Sequence, residues 1–169
     1  FDSKAAEHYI AFFSHLKEMG IKVFVTLVHF THPQWFEKLG HFMTADNLKY
    51  FERYLEYIVP KIAPYVDYWN VLNEFNLGNT EEKINFKLSS IRYHSLGYHI
   101  IKKYSDKPVS SAHALVQYMP KRPFDRFDSV MAQYDDLRDH EFFFHAIRTG
   151  EILYPFRDGQ YLPVCARYG

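Results

Sequence analysis

The chain has a single cysteine, Cys165, which excludes an internal disulfide and any cysteine-based zinc site. It has no excess of either charge: Lys and Arg total 20, as do Asp and Glu. A protein held to nucleic acid by counterion release would show a basic excess or stripe, so that class is excluded. Long apolar runs are missing too. The longest candidate, Val23 to Phe30, is the length of a strand and far short of the roughly 18 residues that span a bilayer. Low-complexity tracts and linkers are absent, and Phe1 stands where a methionine would open a complete reading frame, so upstream sequence is expected to have been removed. No membrane or nucleic-acid partner is expected, and a cytoplasmic setting is. What is abundant is aromatic: 16 Phe and 14 Tyr, with 2 Trp, make 19% of the 169 residues. So many rings imply a dense core or a cavity that stacks flat ligands.

Helix and strand patterns alternate. Ser3 reads as an N-cap with Glu7 in the first turn, and Tyr9, Ile10, Phe13, Leu16 and Met19 recur at helical spacing up to Gly20. Ile21 to Phe30 is β-branched and apolar, as in a parallel strand covered on both faces. Thr44 or Asp46 opens a second helix, through Leu48, Phe51, Leu55 and Ile58, that closes near Pro60 and Pro64. Val66 to Asn73 is the next strand, Glu81 to Tyr104 the third helix and Val109 to Val116 a weaker strand. Residues 120–128 read as irregular, and a last helix is predicted from about Asp135 to Gly150. Strands alternating with helices of this length build parallel sheets with right-handed crossovers.

The predicted fold class is therefore α/β, with about three parallel strands and flanking helices. A complete (β/α)8 barrel needs roughly 250 residues. The expectation is accordingly a single incomplete barrel domain over 1–169, an interior segment with strands missing on both sides.

In such barrels chemistry collects at the C-terminal ends of strands. Three places qualify: after Phe30, after Asn73 and after Val116. The first carries His29-Phe30-Thr31-His32-Pro33. An isolated histidine such as His29 is more often a satisfied core residue than a functional one. His29 and His32 find no third ligand at a metal-binding spacing, so neither a metal nor any other cofactor is expected. The second place carries Asn73-Glu74-Phe75. A carboxylate directly after a buried strand is costly unless it reaches the mouth. There, beside rings and away from bulk water, its neutral form is favoured and it can serve as a general acid. Asn73 offers donors and an acceptor suited to a sugar hydroxyl. Adjacent strand residues point to opposite faces, so both reach one ligand only if the strand end twists or bulges. On the third strand, His113 and Tyr118 are as compatible with a structural role as with the mouth. The pairs His94/His99 and His140/His145 are spaced five apart, poor for a helical metal pair. Lys121, Arg122 and Arg126 interleave with Asp125 and Asp128 as in a solvated loop.

Together the segments resemble the family 1 glycoside hydrolases, the retaining β-glucosidases and β-glycosidases. FVTLVHFTHPQWFEKLGHF resembles that family's third barrel strand and loop. YWNVLNEF resembles the fourth strand with its Trp-x-x-x-Asn-Glu-Pro signature. DSKAAEHYIAFFSHLKEMGIK is similar to the helix before strand three, and FFFHAIRTGEILYP to the helical segment before strand six. The resemblance implies a TIM-barrel β-glycosidase acting on a small β-glycoside or oligosaccharide. Glu74 would be the catalytic acid/base, Asn73 would contact the sugar's 2-hydroxyl and His29 the 3-hydroxyl. Phe30, where the family commonly has Trp, would shape the wall of the same subsite. Two departures stand out. Phe75 replaces the family's Pro and frees Glu74 from the extended backbone a following proline imposes, and Val71 replaces its usual Thr. The Thr-Glu-Asn-Gly-like motif that carries the nucleophile does not occur in the sequence. A non-hydrolytic sugar-binding relative and an inactive barrel fragment remain alternative readings.

Overall fold

The computed structural model describes residues 1–155 and the backbone of 161–165. Helix α1 (Ser3–Glu18) leads into strand β1 (Phe24–Val28), a short helix α2 (Gln34–Lys38) and helix α3 (Leu48–Ile62). Strand β2 (Tyr68–Asn73), helix α4 (Glu81–Tyr104) and strand β3 (Val109–Ala112) follow. Helices α5 (Arg126–Asp136) and α6 (Phe142–Thr149) flank a π-helical turn, Leu137–Glu141, before strands β4 (Glu151–Pro155) and β5 (Tyr161–Cys165). Strands β1, β2 and β3 form one parallel sheet in that order, as the alternation predicts. β4 and β5 pair antiparallel in a separate hairpin that the sequence pattern does not reveal. The side chain of Cys165 lies outside the described residues.

Several boundaries move for physical reasons. Asp2, not Ser3, caps α1, because its carboxylate accepts from the N–H groups of Lys4 (2.9 Å) and Ala5 (3.2 Å). Glu7 then falls beyond the first turn. The buried stripe of α1 runs through Ala6, Ile10, Phe13 and Leu16, whereas Tyr9 and Met19 are exposed. Gly20 adopts the left-handed φ of 74° expected after a helix end. Thr44 caps a 3-10 turn, Ala45–Asn47, that runs on into α3, and α3 continues through Pro60 to Ile62. α5 begins at Arg126, well before Asp135, because Asp125 caps it by accepting from Asp128 N–H at 3.0 Å. Arg122 meanwhile grips Asp128 through two nitrogens at 2.9 Å, the solvated arrangement foreseen for that loop.

The two faces of β2 are distinguishable. Trp69 is fully buried and donates its indole N–H to Ser105 at the end of α4, and Val71 packs on Gly97 of the same helix. Odd-numbered residues therefore face the helical layer. On the other face Asn70 donates to Thr26 of β1 at 3.3 Å, and Phe24 stacks on Tyr68 with ring centroids 5.9 Å apart. Phe24 is 59% and Tyr68 43% exposed, so this face of the sheet is open at the N-terminal ends of its strands. Below it Asp67 ties α1 to the sheet, accepting from Lys17 Nζ (2.8 Å) and Val23 N–H (2.9 Å). These bonds, Lys17's foremost, hold its carboxyl at about 2.

At Gly97, α4 packs directly against Val71 of β2. A Cβ there would lie 2.5 Å from Val71 Cγ1, a distance real side chains do not tolerate. Gly97→Ala should therefore destabilise the chain by about 1–3 kcal/mol, the usual cost of overpacking, even though alanine is the better helix former. Urea unfolding of the two proteins measures the difference, and an unchanged midpoint would show that strand and helix separate freely.

Candidate active site

Strand β1 ends at Val28, two residues before the predicted limit, because the chain turns out of the sheet. Phe30 has φ +62°, and Thr31 N–H donates to His29 C=O at 2.7 Å in a three-residue γ-turn. His29 is exposed, with its ring edge-on to Phe30 at 4.9 Å. Phe30 is 58% exposed at the rim of a cavity of about 270 Å³. That volume is just under the roughly 300 Å³ at which ligand pockets usually begin, so it suits a small portion of a ligand.

Asn73 and Leu72 line the same cavity, although neighbours on a regular strand would diverge. The pairing of β2 with β3 explains this. Asn70 pairs with Ser110 and Asn73 with Ala112, so three steps on β2 match two on β3 and the strand bulges. Side chains replace the lost ladder bond: Leu72 N–H donates to Ser111 Oγ at 3.3 Å, and His94 Nδ1 lies 2.8 Å from the same hydroxyl. Burial lowers the His94 pKa to about 4, so the imidazole is neutral and shares a hydrogen bond with the Ser111 hydroxyl. His94 is thus a core residue that supports the bulge.

Glu74 follows, half-buried, with φ +45°. Its N–H donates to Ala112 C=O at 3.0 Å, extending the sheet by one rung. A non-glycine residue in the left-handed region costs of order 1 kcal/mol and is held by its surroundings. The surroundings are visible in the next two residues. Phe75 is 1% exposed, packed against Phe143 (4.6 Å) and His113 (5.3 Å). Asn76, also buried, donates to Ala114 C=O and to Asp139 C=O, each at 3.0 Å, and accepts from Ala114 N–H at 2.9 Å. This anchor holds Glu74 in a left-handed conformation, not the extended one that a proline at position 75 would impose.

Of the four sequence-derived site residues, Asn73 and Phe30 share the cavity, while Glu74 adjoins Asn73 and His29 adjoins Phe30 without lining it. β3 ends at Ala112, not Val116, because the chain beyond it hydrogen-bonds to the π-helical turn. His113 Nε2 lies 2.8 Å from Asp139 C=O and Tyr118 donates to the Asp139 carboxylate, so both are structural. A second, larger cavity of about 550 Å³ lies in the outer layer among Trp35, Phe36, Tyr50 and Tyr54; it holds no carboxylate.

Sequence reasoning overlooked one group. His32, Glu37 and His41 bring their ligand-type atoms within 4.8 Å of one another on the cavity wall, which corrects the expectation of no metal-ligand set. That expectation tested His32 against His29, whereas its partners lie five and nine positions downstream. Burial lowers the pKa of His41, and the hydrogen bond from His32 lowers that of Glu37.

The sequence profile of glycosyl hydrolase family 1 matches residues 1–89, more than half of the chain, including His29, Phe30, Asn73, Glu74 and every residue that lines the smaller cavity. The chain belongs to glycosyl hydrolase family 1. A 6-phospho-beta-galactosidase of Staphylococcus aureus (strain MRSA252) is 27% identical over 165 residues, covering 88% of this chain and 35% of that protein. The rice "Beta-glucosidase-like SFR2, chloroplastic" is 33% identical over 70 residues, 41% of this chain and 11% of its own. Among solved structures, an aphid myrosinase superposes with TM-score 0.81 at 19% identity, over 90% of this chain and 37% of that one. The beta-glycosidase from Pyrococcus horikoshii gives TM-score 0.81 at 23% identity, over 93% and 40%. The family 1 chain thus spans about a third of the curated relative that it matches throughout. Its three parallel strands and helices are part of a (β/α)8 barrel, as the sequence predicts.

Proposed function

We propose that this family 1 chain carries the acid/base half of a retaining β-glycosidase, with Glu74 as the proton shuttle. The observation that supports this best is the bulge at the end of β2, which presents Asn73 to the cavity and sets Glu74 next to it on an anchored turn. A retaining enzyme needs one carboxyl group that protonates the leaving oxygen and later deprotonates water. Asn73 would hold the 2-hydroxyl, a contact that strengthens as the ring nears the oxocarbenium ion and so lowers the barrier. His29 would take the 3-hydroxyl, and Phe30 would wall the subsite.

The substrate is a small β-glycoside or oligosaccharide, with neither nucleic acid nor membrane as partner and a cytoplasmic setting. No helix among the described residues is long and apolar enough to cross a membrane. The 169 residues form a single incomplete barrel domain, and the nucleophile lies outside them. Double displacement needs a second carboxyl about 5–5.5 Å away. The chain by itself is accordingly expected to release no nitrophenol from nitrophenyl β-glucoside. The whole protein that bears it should hydrolyse an aryl β-glycoside with retention at the anomeric carbon, followed by proton NMR. An inverted first product, or turnover by the purified 169-residue chain, would overturn the reading.

A further inference from the structure

The geometry points to a binding site for a divalent first-row transition ion, zinc above all, formed by His32, Glu37 and His41 on the wall of the cavity that Asn73 and Phe30 also line. Two imidazoles and a carboxylate are a donor set that zinc takes readily, with the fourth tetrahedral position left open. Hard ions such as calcium and magnesium prefer oxygen-only cages, so the chemistry selects against them.

The three side chains come from one short stretch that is held in shape by other residues. Gly40 and His41 both have positive φ, 84° and 36°, and turn the chain back on itself after α2. Buried Asn47 fixes that turn, its amide donating to Leu39 C=O (2.9 Å) and His41 C=O (2.8 Å). Tyr93 closes the far side by donating to Thr44 C=O at 2.8 Å. The rings of His32 and His41 lie nearly parallel, 19° apart in plane and 4.9 Å between centroids, with Phe36 and Phe42 edge-on to His32 at 5.7 and 5.8 Å. Glu37 accepts a hydrogen bond from His32 Nε2.

A second observation points to a missing ligand: Nδ1 of His41 is buried and finds no hydrogen-bond partner among the described residues. A desolvated imidazole nitrogen without a partner is costly unless something completes it. Metal–ligand bonds of about 2.0–2.2 Å place tetrahedral donors roughly 3.4 Å apart. His32 Nε2 and Glu37, already in hydrogen-bond contact, need to part slightly, and a pair as far as 4.8 Å apart needs to draw in by about 1.4 Å, movements that Glu37 and the imidazole torsions can supply. Glu82 and Lys83 also line the cavity and contribute opposite charges, so they largely offset each other in the ion's field.

The inference does not rest on glycosidase activity, since ion binding is read without a sugar. Zinc is titrated calorimetrically into the chelator-treated chain, and cobalt is added in parallel for its tetrahedral visible absorption. One equivalent should bind, with the cobalt bands appearing in step. Glu37→Gln, at an exposed position that leaves the fold intact, should weaken binding at least about tenfold. His41→Asn, which tolerates the positive φ, should abolish it. Absence of saturable binding would overturn the proposal. So would a stoichiometric site that both variants leave unchanged, which would place the ion among the chain's other histidines.

Discussion

Replacing Glu74 by Gln should reduce hydrolysis of glycosides with poor leaving groups by about 10²- to 10⁴-fold in the protein that carries this chain, the range that general acid catalysis supplies. In free energy this is roughly 3–5.5 kcal/mol of lost transition-state stabilisation. Glutamine is isosteric and keeps the backbone at φ +45°, so the loss isolates the proton. An activated aryl glycoside has a leaving group that departs without protonation, and its first chemical step should be spared. Such a substrate then stalls at the second step, where a base must activate water, and shows a burst of released phenol. Equal losses with both substrates would remove Glu74 from the role of acid/base and leave it a binding or structural residue.

The second large effect concerns stability. Lys87 on α4 is completely buried, its ammonium bonded to Asp139 Oδ1 at 2.6 Å and Asn79 Oδ1 at 2.9 Å. Asp139 sits in the π-helical turn and also receives Arg138 (2.9 Å) and Tyr118. Burial works against the Asp139 charge, yet the bonds from Arg138, Lys87 and Tyr118 outweigh it and hold the carboxyl well below the usual range. Burial likewise draws the Lys87 pKa down, opposed by Asp139. Asp139→Ala strands the ammonium with one neutral partner, and breaking a buried pair from one side costs about 3–5 kcal/mol. Denaturant unfolding should show that loss, and Lys87→Met in the same background should recover part of it, because the charge needing compensation is gone. A single mutant within 1 kcal/mol of the parent, on the order of a surface pair, would show that the ammonium reaches water. The same place bears on the candidate site: Asp139 C=O receives the Asn76 amide behind Glu74, so loosening the π-helical turn would release Glu74, the proposed general acid, as well.

The contrast between what was legible in the sequence and what was not has physical causes. The parallel sheet could be read because β1 and β2 are apolar runs separated by helical periodicity, a pattern set by burial alone. Asn73-Glu74 at a strand end could be read because a carboxylate there needs a reason. The bulge could be anticipated only as a requirement, since the hydroxyl and imidazole that support it, Ser111 and His94, come from other elements and carry no local signature. The histidine cluster escaped because its first spacing, five, matches no helical or strand period, and its second, four, arises in a folded loop beyond α2 and not on a helix face. The Lys87–Asp139 pair escaped for the same reason at longer range, 52 positions apart. The early start of α5 was hidden by the charged stretch 120–128, in which Asp125 is a cap and not a loop residue.

The backward twist of the main chain at position 74 has an evolutionary corollary. Glycine or asparagine would sit there with less torsional discomfort than glutamate does. A library screened for thermal resistance alone would thus drift toward those residues and discard the proposed proton donor, whereas one screened for turnover would keep the awkward side chain. The site is therefore a position where selection for robustness and selection for chemistry pull in opposite directions.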